Sequence, residues 1–224
     1  PSSKQKDLNP NTTLWYNAPA SIWLEAMPIG NSHLGAMVFG GTETEEIQLN
    51  EETFWSGGPH NNNSPRSLGR LDEVRKLIFA GQEKEASDII DKDFVVGPHG
   101  MRFLTLGSYK LDFDHDAAKD YYRQLDLTTG VSTVTYEDDD VTYTRETFAS
   151  LADGVIVMRL KSSKKGELSF KMRHECQFPS TSKVYGNNKL FAQIKPVDQE
   201  GIKGQLIAEC EAKIVECDGA LKEK

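Results

Sequence analysis

The hydrophobic and polar positions change their period twice along the chain. Near the start, PIGNSHLGAMVFGG sets the apolar run Leu34 to Phe39 among Gly30, Gly35, Gly40 and Gly41. Short apolar runs between tight glycine turns predict strands, here residues 36–39 and 45–49 joined by the turn Gly40-Gly41-Thr42. Asn50 to Gly58 are expected on a loop, because Gly57, Gly58 and Pro59 end any regular element. The polar stretch continues to Pro65 through GGPHNNNSPRS, and loops of that length in compact domains are usually functional or mobile.

The period then becomes helical. Leu71, Val74, Leu77 and Ile78 fall at i, i+3, i+6 and i+7, one stripe of a helix. Gly81 suits a C-terminal cap, and Ala86, Ile89 and Ile90 continue into a second helix. This predicts a helical hairpin inserted at about residues 68–91 and packed on a sheet, with Arg75, Lys76, Glu83, Lys84 and Glu85 in solvent. From Tyr109 the period falls to two. Tyr109, Leu111 and Phe113 alternate with polar positions, and a hairpin is expected across the acidic turn Asp138-Asp139-Asp140. Residues 155–160, 168–172, 189–194, 205–209 and 213–216 read as further strands.

The fold class predicted is mainly β, a large antiparallel β-sandwich of supersandwich type carrying the helical hairpin. Residues 1–13 hold one apolar side chain, Leu8, and read as a flexible tail. Residues 14–224 would form the sandwich domain. The Asp218-Gly219 turn opens a returning strand with no room to finish, so the expectation is a piece of a longer protein.

Composition narrows the chemistry. With 38% hydrophobic and 27% charged residues the chain reads as globular, and no apolar run approaches the roughly 18 residues of a membrane span. The formal charge of −8 argues against a nucleic-acid surface. Cys176, Cys210 and Cys217 are odd in number, and Cys210 and Cys217 fit two buried free thiols better than a bridge. The five histidines show no metal-ligand spacing, and no glycine-rich loop opens a helix, so neither metal nor cofactor is expected.

Glu51 and Glu52 are the tempting carboxyl pair for acid–base chemistry. Adjacent strand residues point to opposite faces, however, so a structural role for Asn50 or Glu52 in the turn is the better reading. Trp15 and Trp23 are expected in the core. Trp55 fits an interface, the core or a sugar face.

LWYNAPASIWLEAMPIGNSHLGAMVFGG, followed by IQLNEETFWSGGP, LDEVRKLIFAGQEKEASDIID, LGSYKLDF, YYRQLDLTTGVSTVTY and VTYTRETFASLADGVIVMRL, resembles the start of glycoside hydrolase family 95. That family comprises α-L-fucosidases and some α-L-galactosidases. The resemblance implies the non-catalytic N-terminal β-domain of an exo-acting, inverting enzyme, exported to the periplasm or cell exterior. In the family, the acid glutamate and an aspartate base assisted by asparagines lie on a later (α/α)6 barrel, the expected partner; no catalytic residue is carried over here. A fucosylated glycan would be met through the parent enzyme, with Asn50, Glu52 and Trp55 on a loop facing barrel or substrate. One departure is local: the family usually reads Gly-Arg where this chain has Ser32-His33. The rival reading is a freestanding carbohydrate-binding module using Trp55 and Asn61-Asn62-Asn63.

Overall fold

The structure, a computed structural model, describes residues 9–222, so the first eight residues of the expected tail lie outside the described residues. The chain gathers into two compact units. One takes the chain up to Phe54, Thr105–Lys195 and the chain from Ala208 on; the other takes Trp55–Leu104 and Pro196–Ile207.

The first unit holds β1 (Thr13–Tyr16), β2 (Met27–Gly30), β3 (Leu34–Val38), β4 (Thr44–Glu51), β5 (Gly107–Asp112), β6 (Lys119–Asp126) and β7 (Val131–Asp138). It continues with β8 (Val141–Ser150), β9 (Val155–Ser162), β10 (Lys171–Glu175), β11 (Ser180–Tyr185), β12 (Lys189–Ile194) and β13 (Ala208–Lys213). These form three antiparallel sheets, ordered β1-β6-β7-β8-β9, β10-β5-β4-β3-β2 and β11-β12-β13. The mainly β, sandwich-type fold read from the sequence is therefore present.

Alternation explains the layers. Met27, Ile29, Ala36, Val38 and Ile47 from the second sheet pack with Leu125, Ile156 and Met158 from the first. β7 and β8 bury every second residue, and Val134, Tyr136, Val141 and Tyr143 form a second cluster. Their two-residue turn holds Asp139 and Asp140 at φ 46° and 58°, the doubly left-handed turn that matches strand twist and that aspartate tolerates.

Charges are also buried between these sheets. Glu45 and Arg145 approach to 3.3 Å with side chains 0% and 3% exposed. Glu45 accepts from the Gly40 N–H at 2.7 Å, and Arg145 donates to the Gly41 carbonyl at 2.6 Å. Gly40 sits at φ 77°, where an added β-carbon would overlap the Tyr121 hydroxyl, so the β3–β4 turn requires glycine. Burial pushes the Glu45 carboxyl pKa up, against the pull of Arg145. Arg123 donates to the carbonyls of Ala18 and Glu25 at 2.8 and 2.7 Å, tying down the segment between β1 and β2. The third sheet is tied to β5 by the Tyr109 hydroxyl, 3.1 and 3.0 Å from the carbonyls of Leu190 and Cys210.

The second unit contains α1 (Ser67–Phe79) and α2 (Glu83–Asp93). Gly81 closes α1 at φ 73°, its N–H on the Ile78 carbonyl and that of Gln82 on Leu77 at 2.9 Å, the double bond of a Schellman cap. Asp93, at the end of α2, forms ion pairs with Arg66 and Arg70 at 3.2 and 3.5 Å. The rest of the unit joins two distant stretches: Gly57 N–H donates to the Val197 carbonyl at 2.7 Å, and the Ser56 hydroxyl meets Gln199 at 2.5 Å.

Several expectations need correction. Trp15 and Trp23 are 41% and 54% exposed, not core; β1 is an edge strand and Trp23 opens a single 3-10 turn. The strand expected at residues 168–172 is β10, whose register with Asp112 to Ser108 starts at Lys171. Residues 205–209 and 213–216 are not two strands. Gln205 instead bonds Gly57 in the second unit, while Ala208, Cys210 and Ala212 alternate with charged residues along the single strand β13. Cys210 is half-buried as a free thiol, whereas Cys217 is exposed.

Candidate functional site

Three features bear on function. The first lies where β2, β3 and β4 end. Asn31 Oδ1 accepts from the N–H groups of His33 and Leu34 at 3.3 and 2.8 Å, and its amide donates to the Ser150 carbonyl at 2.8 Å. This turn holds Ser32 at φ 73°. His33 then lies beside Glu52: the Glu52 N–H donates to the His33 carbonyl at 3.0 Å, and His33 Nδ1 and Glu52 Oε1 are 2.5 Å apart. Both side chains are largely open to solvent, 68% and 49% exposed.

The neighbouring carboxylate is spent locally. Glu51 Oε2 accepts from the Thr53 N–H at 2.9 Å and from its hydroxyl at 2.6 Å. Glu51 thus holds the turn that follows β4. Asn50 is not on a loop at all. It lies within β4 opposite Gly35, in a pairing that runs on to Leu34 and Glu51. Asn50 and Glu52 belong to the first unit and Trp55 to the second.

Trp55 is the second feature. It is 44% exposed, pairs with Phe103 across an isolated bridge, and holds that ring at 5.2 Å between centroids. The core reading is thereby removed.

The third feature is invisible to sequence spacing. The outward side chains of β4, β5 and β10 form rows set by register: Gln48, Ser108 and Glu175; Glu46, Lys110 and Arg173. A depression of about 570 Å³ opens over them, with the connector that carries Gln177 and leads to Ser180 as one wall. Ser108 donates to Glu46 at 2.6 Å, and Lys110 lies 2.8 Å from Glu175 and 3.7 Å from Glu46. Arg173 pairs with Glu175 and, at 2.6 Å, with Asp112, holding the Asp112 carboxyl below the usual carboxylate range. His174 Nε2 donates to the Leu106 carbonyl at 2.8 Å, and burial keeps its pKa below the ordinary value. The arrangement offers binding groups rather than an activated nucleophile. Among the described residues no three His, Cys, Asp or Glu side chains are grouped to hold a metal ion, and no helix is long and apolar enough to cross a membrane.

Known proteins give the context. Residues 14–224 match the family model described as glycosyl hydrolase family 65, N-terminal domain. The chain is 35% identical over 176 residues to alpha-L-fucosidase 2 of Arabidopsis thaliana, covering 77% of this chain and 21% of that protein. It is 29% and 31% identical to proteins named "Probable alpha-fucosidase A" in Aspergillus niger and Aspergillus oryzae, covering 83% and 84% of this chain and 25% and 27% of theirs. The chain thus spans about a fifth to a quarter of the length of these relatives. Their names agree with the fucosidase resemblance carried by the opening motifs, and the full-length match to the family model makes this chain a member of the glycosyl hydrolase N-terminal domain family.

Proposed function

We propose that the chain is the non-catalytic N-terminal β-domain of an exo-acting, inverting α-L-fucosidase-like glycoside hydrolase, supporting an (α/α)6 catalytic barrel carried elsewhere in the same polypeptide. The observation behind this reading is that the tempting carboxylates are already committed. Glu51 holds Thr53, Glu52 lies against His33, and Glu45 is sealed inside the sandwich. Inverting hydrolysis needs an acid and a base about 6.5–9.5 Å apart across an open cleft. Relatives named as fucosidases that are more than three times as long leave ample chain for such a cleft. On this reading Asn50, Glu52 and Trp55 each belong to surface turned toward the barrel, and the parent is exported.

The test is direct. The isolated chain, incubated with an aryl α-L-fucoside, should release no aryl alcohol above the uncatalysed background, while the full-length protein should turn the substrate over with inversion. Turnover by the isolated chain that disappears in Glu52→Gln would defeat the proposal.

A further inference from the structure

The groove over β4, β5 and β10 has a chemistry that a scaffold does not call on. Its volume of about 570 Å³ lies within the ~300–1,000 Å³ range of small-molecule sites. The charges on its floor are mutually paired and sum to one net negative charge. Lys110 stands between Glu46 and Glu175, with Lys110 and Glu46 only 22% and 28% exposed, and Arg173 stands between Asp112 and Glu175. A free anion entering such a floor gains no net attraction.

A neutral polyol gains more. An ammonium has three protons and each carboxylate about four lone-pair positions, so Lys110, Glu46 and Glu175 retain hydrogen-bonding capacity beyond their mutual contacts. Gln48, Gln177 and Ser180 line the groove and have no side-chain hydrogen bond among the described residues. The bond from His174 Nε2 to a carbonyl fixes the tautomer and leaves Nδ1 as an acceptor. Donors and acceptors therefore alternate at close spacing, as vicinal hydroxyls require, each of which both donates and accepts.

We propose that this groove binds a neutral pyranose, its hydroxyls bridging Glu46, Gln48, Lys110 and Glu175 on the floor to Gln177 and Ser180 on the wall. Among the described residues no Phe, Tyr or Trp lines the groove, so affinity comes chiefly from hydrogen bonds and lies in the millimolar range. The proposal does not depend on the parent enzyme's activity.

The experiment is a chemical-shift titration of the isotopically labelled 224-residue chain with methyl α-L-fucopyranoside, methyl β-D-galactopyranoside and, separately, inorganic phosphate, each to about 100 mM. At least one pyranoside should move the amides of Gln48, Ser108, Lys110, Gln177 and Ser180 saturably, and phosphate should not. Gln48→Ala and Ser180→Ala, which remove no ion pair and should leave the melting temperature unchanged, should each weaken binding about three- to tenfold. Lys110→Met should weaken it at least about tenfold. Three results would overturn the proposal: groove amides unmoved by either sugar, saturable shifts around Trp55 and Phe103 instead, or saturation of the groove by phosphate.

Discussion

Ser32 is the sharpest single-residue departure from expectation. Its φ of 73° lies in the left-handed region, where a β-carbon costs roughly 1 kcal/mol, and glycine stands there in the family pattern. Ser32→Gly should therefore raise stability in urea by up to about 1 kcal/mol, offset in part by the greater freedom glycine gives the unfolded chain; a loss would show that the hydroxyl has a role. His33 occupies the position of the family's arginine and still reaches Glu52, so His33→Arg should fold normally and keep that contact, visible as an unchanged Glu52 amide environment. His115 sets a pH response. It is 5% exposed, its ring tilted 4.0 Å from the Tyr143 ring centroid and 2.7 Å from the Tyr136 hydroxyl, and burial lowers its pKa from the ordinary 6.5, as it does for His174. Below that value the unfolded chain takes up protons that the folded chain resists, so stability falls as pH drops. Melting temperature should decline between about pH 7 and about pH 5, less steeply in His115→Phe; equal slopes would remove His115 from the account.

At the scale of elements, alternation made β4, β5, β7, β8 and β12 legible, because one face of each is apolar. The same rule hid what lies between the sheets. Glu45 and Arg145 occupy inward positions of β4 and β8, yet a period-two reading assigns charge to solvent by default. Edge strands were hidden for a related reason: β1 and β11 bury little and so lack contrast between faces. Removing one partner of the buried pair leaves the other uncompensated, so Glu45→Ala should cost about 3–5 kcal/mol in a denaturant titration. The double replacement Glu45→Leu with Arg145→Met should recover most of that loss, since buried ion pairs contribute little beyond apolar isosteres. A double variant as unstable as the single one would mean that Gly40 and Gly41, which these side chains hold, depend on the charges themselves.

For the whole molecule, sequence order concealed the candidate groove, whose rows join β4 to β5 and β10 across some sixty residues each. Trp55, by contrast, stood out in the sequence, and its exposure beside Phe103 sets a test of docking. Trp55→Ala in the isolated chain should lose only the ring contact, about 0.5–1.5 kcal/mol; in the full-length protein the loss should be larger if the barrel covers it. Equal losses in both would place Trp55 away from the barrel. The second unit carries a further consequence through its two-part construction. Ser56 and Gln199, which bond each other, are 143 positions apart, and ribosomes add about 5–20 residues per second. The helices and the Trp55–Phe103 bridge therefore emerge and wait roughly 7–30 s for the stretch that completes them. Throughout that interval the unit lacks the bonds that Val197 and Gln199 later supply to Gly57 and Ser56, so its early half is held by the helices and that bridge.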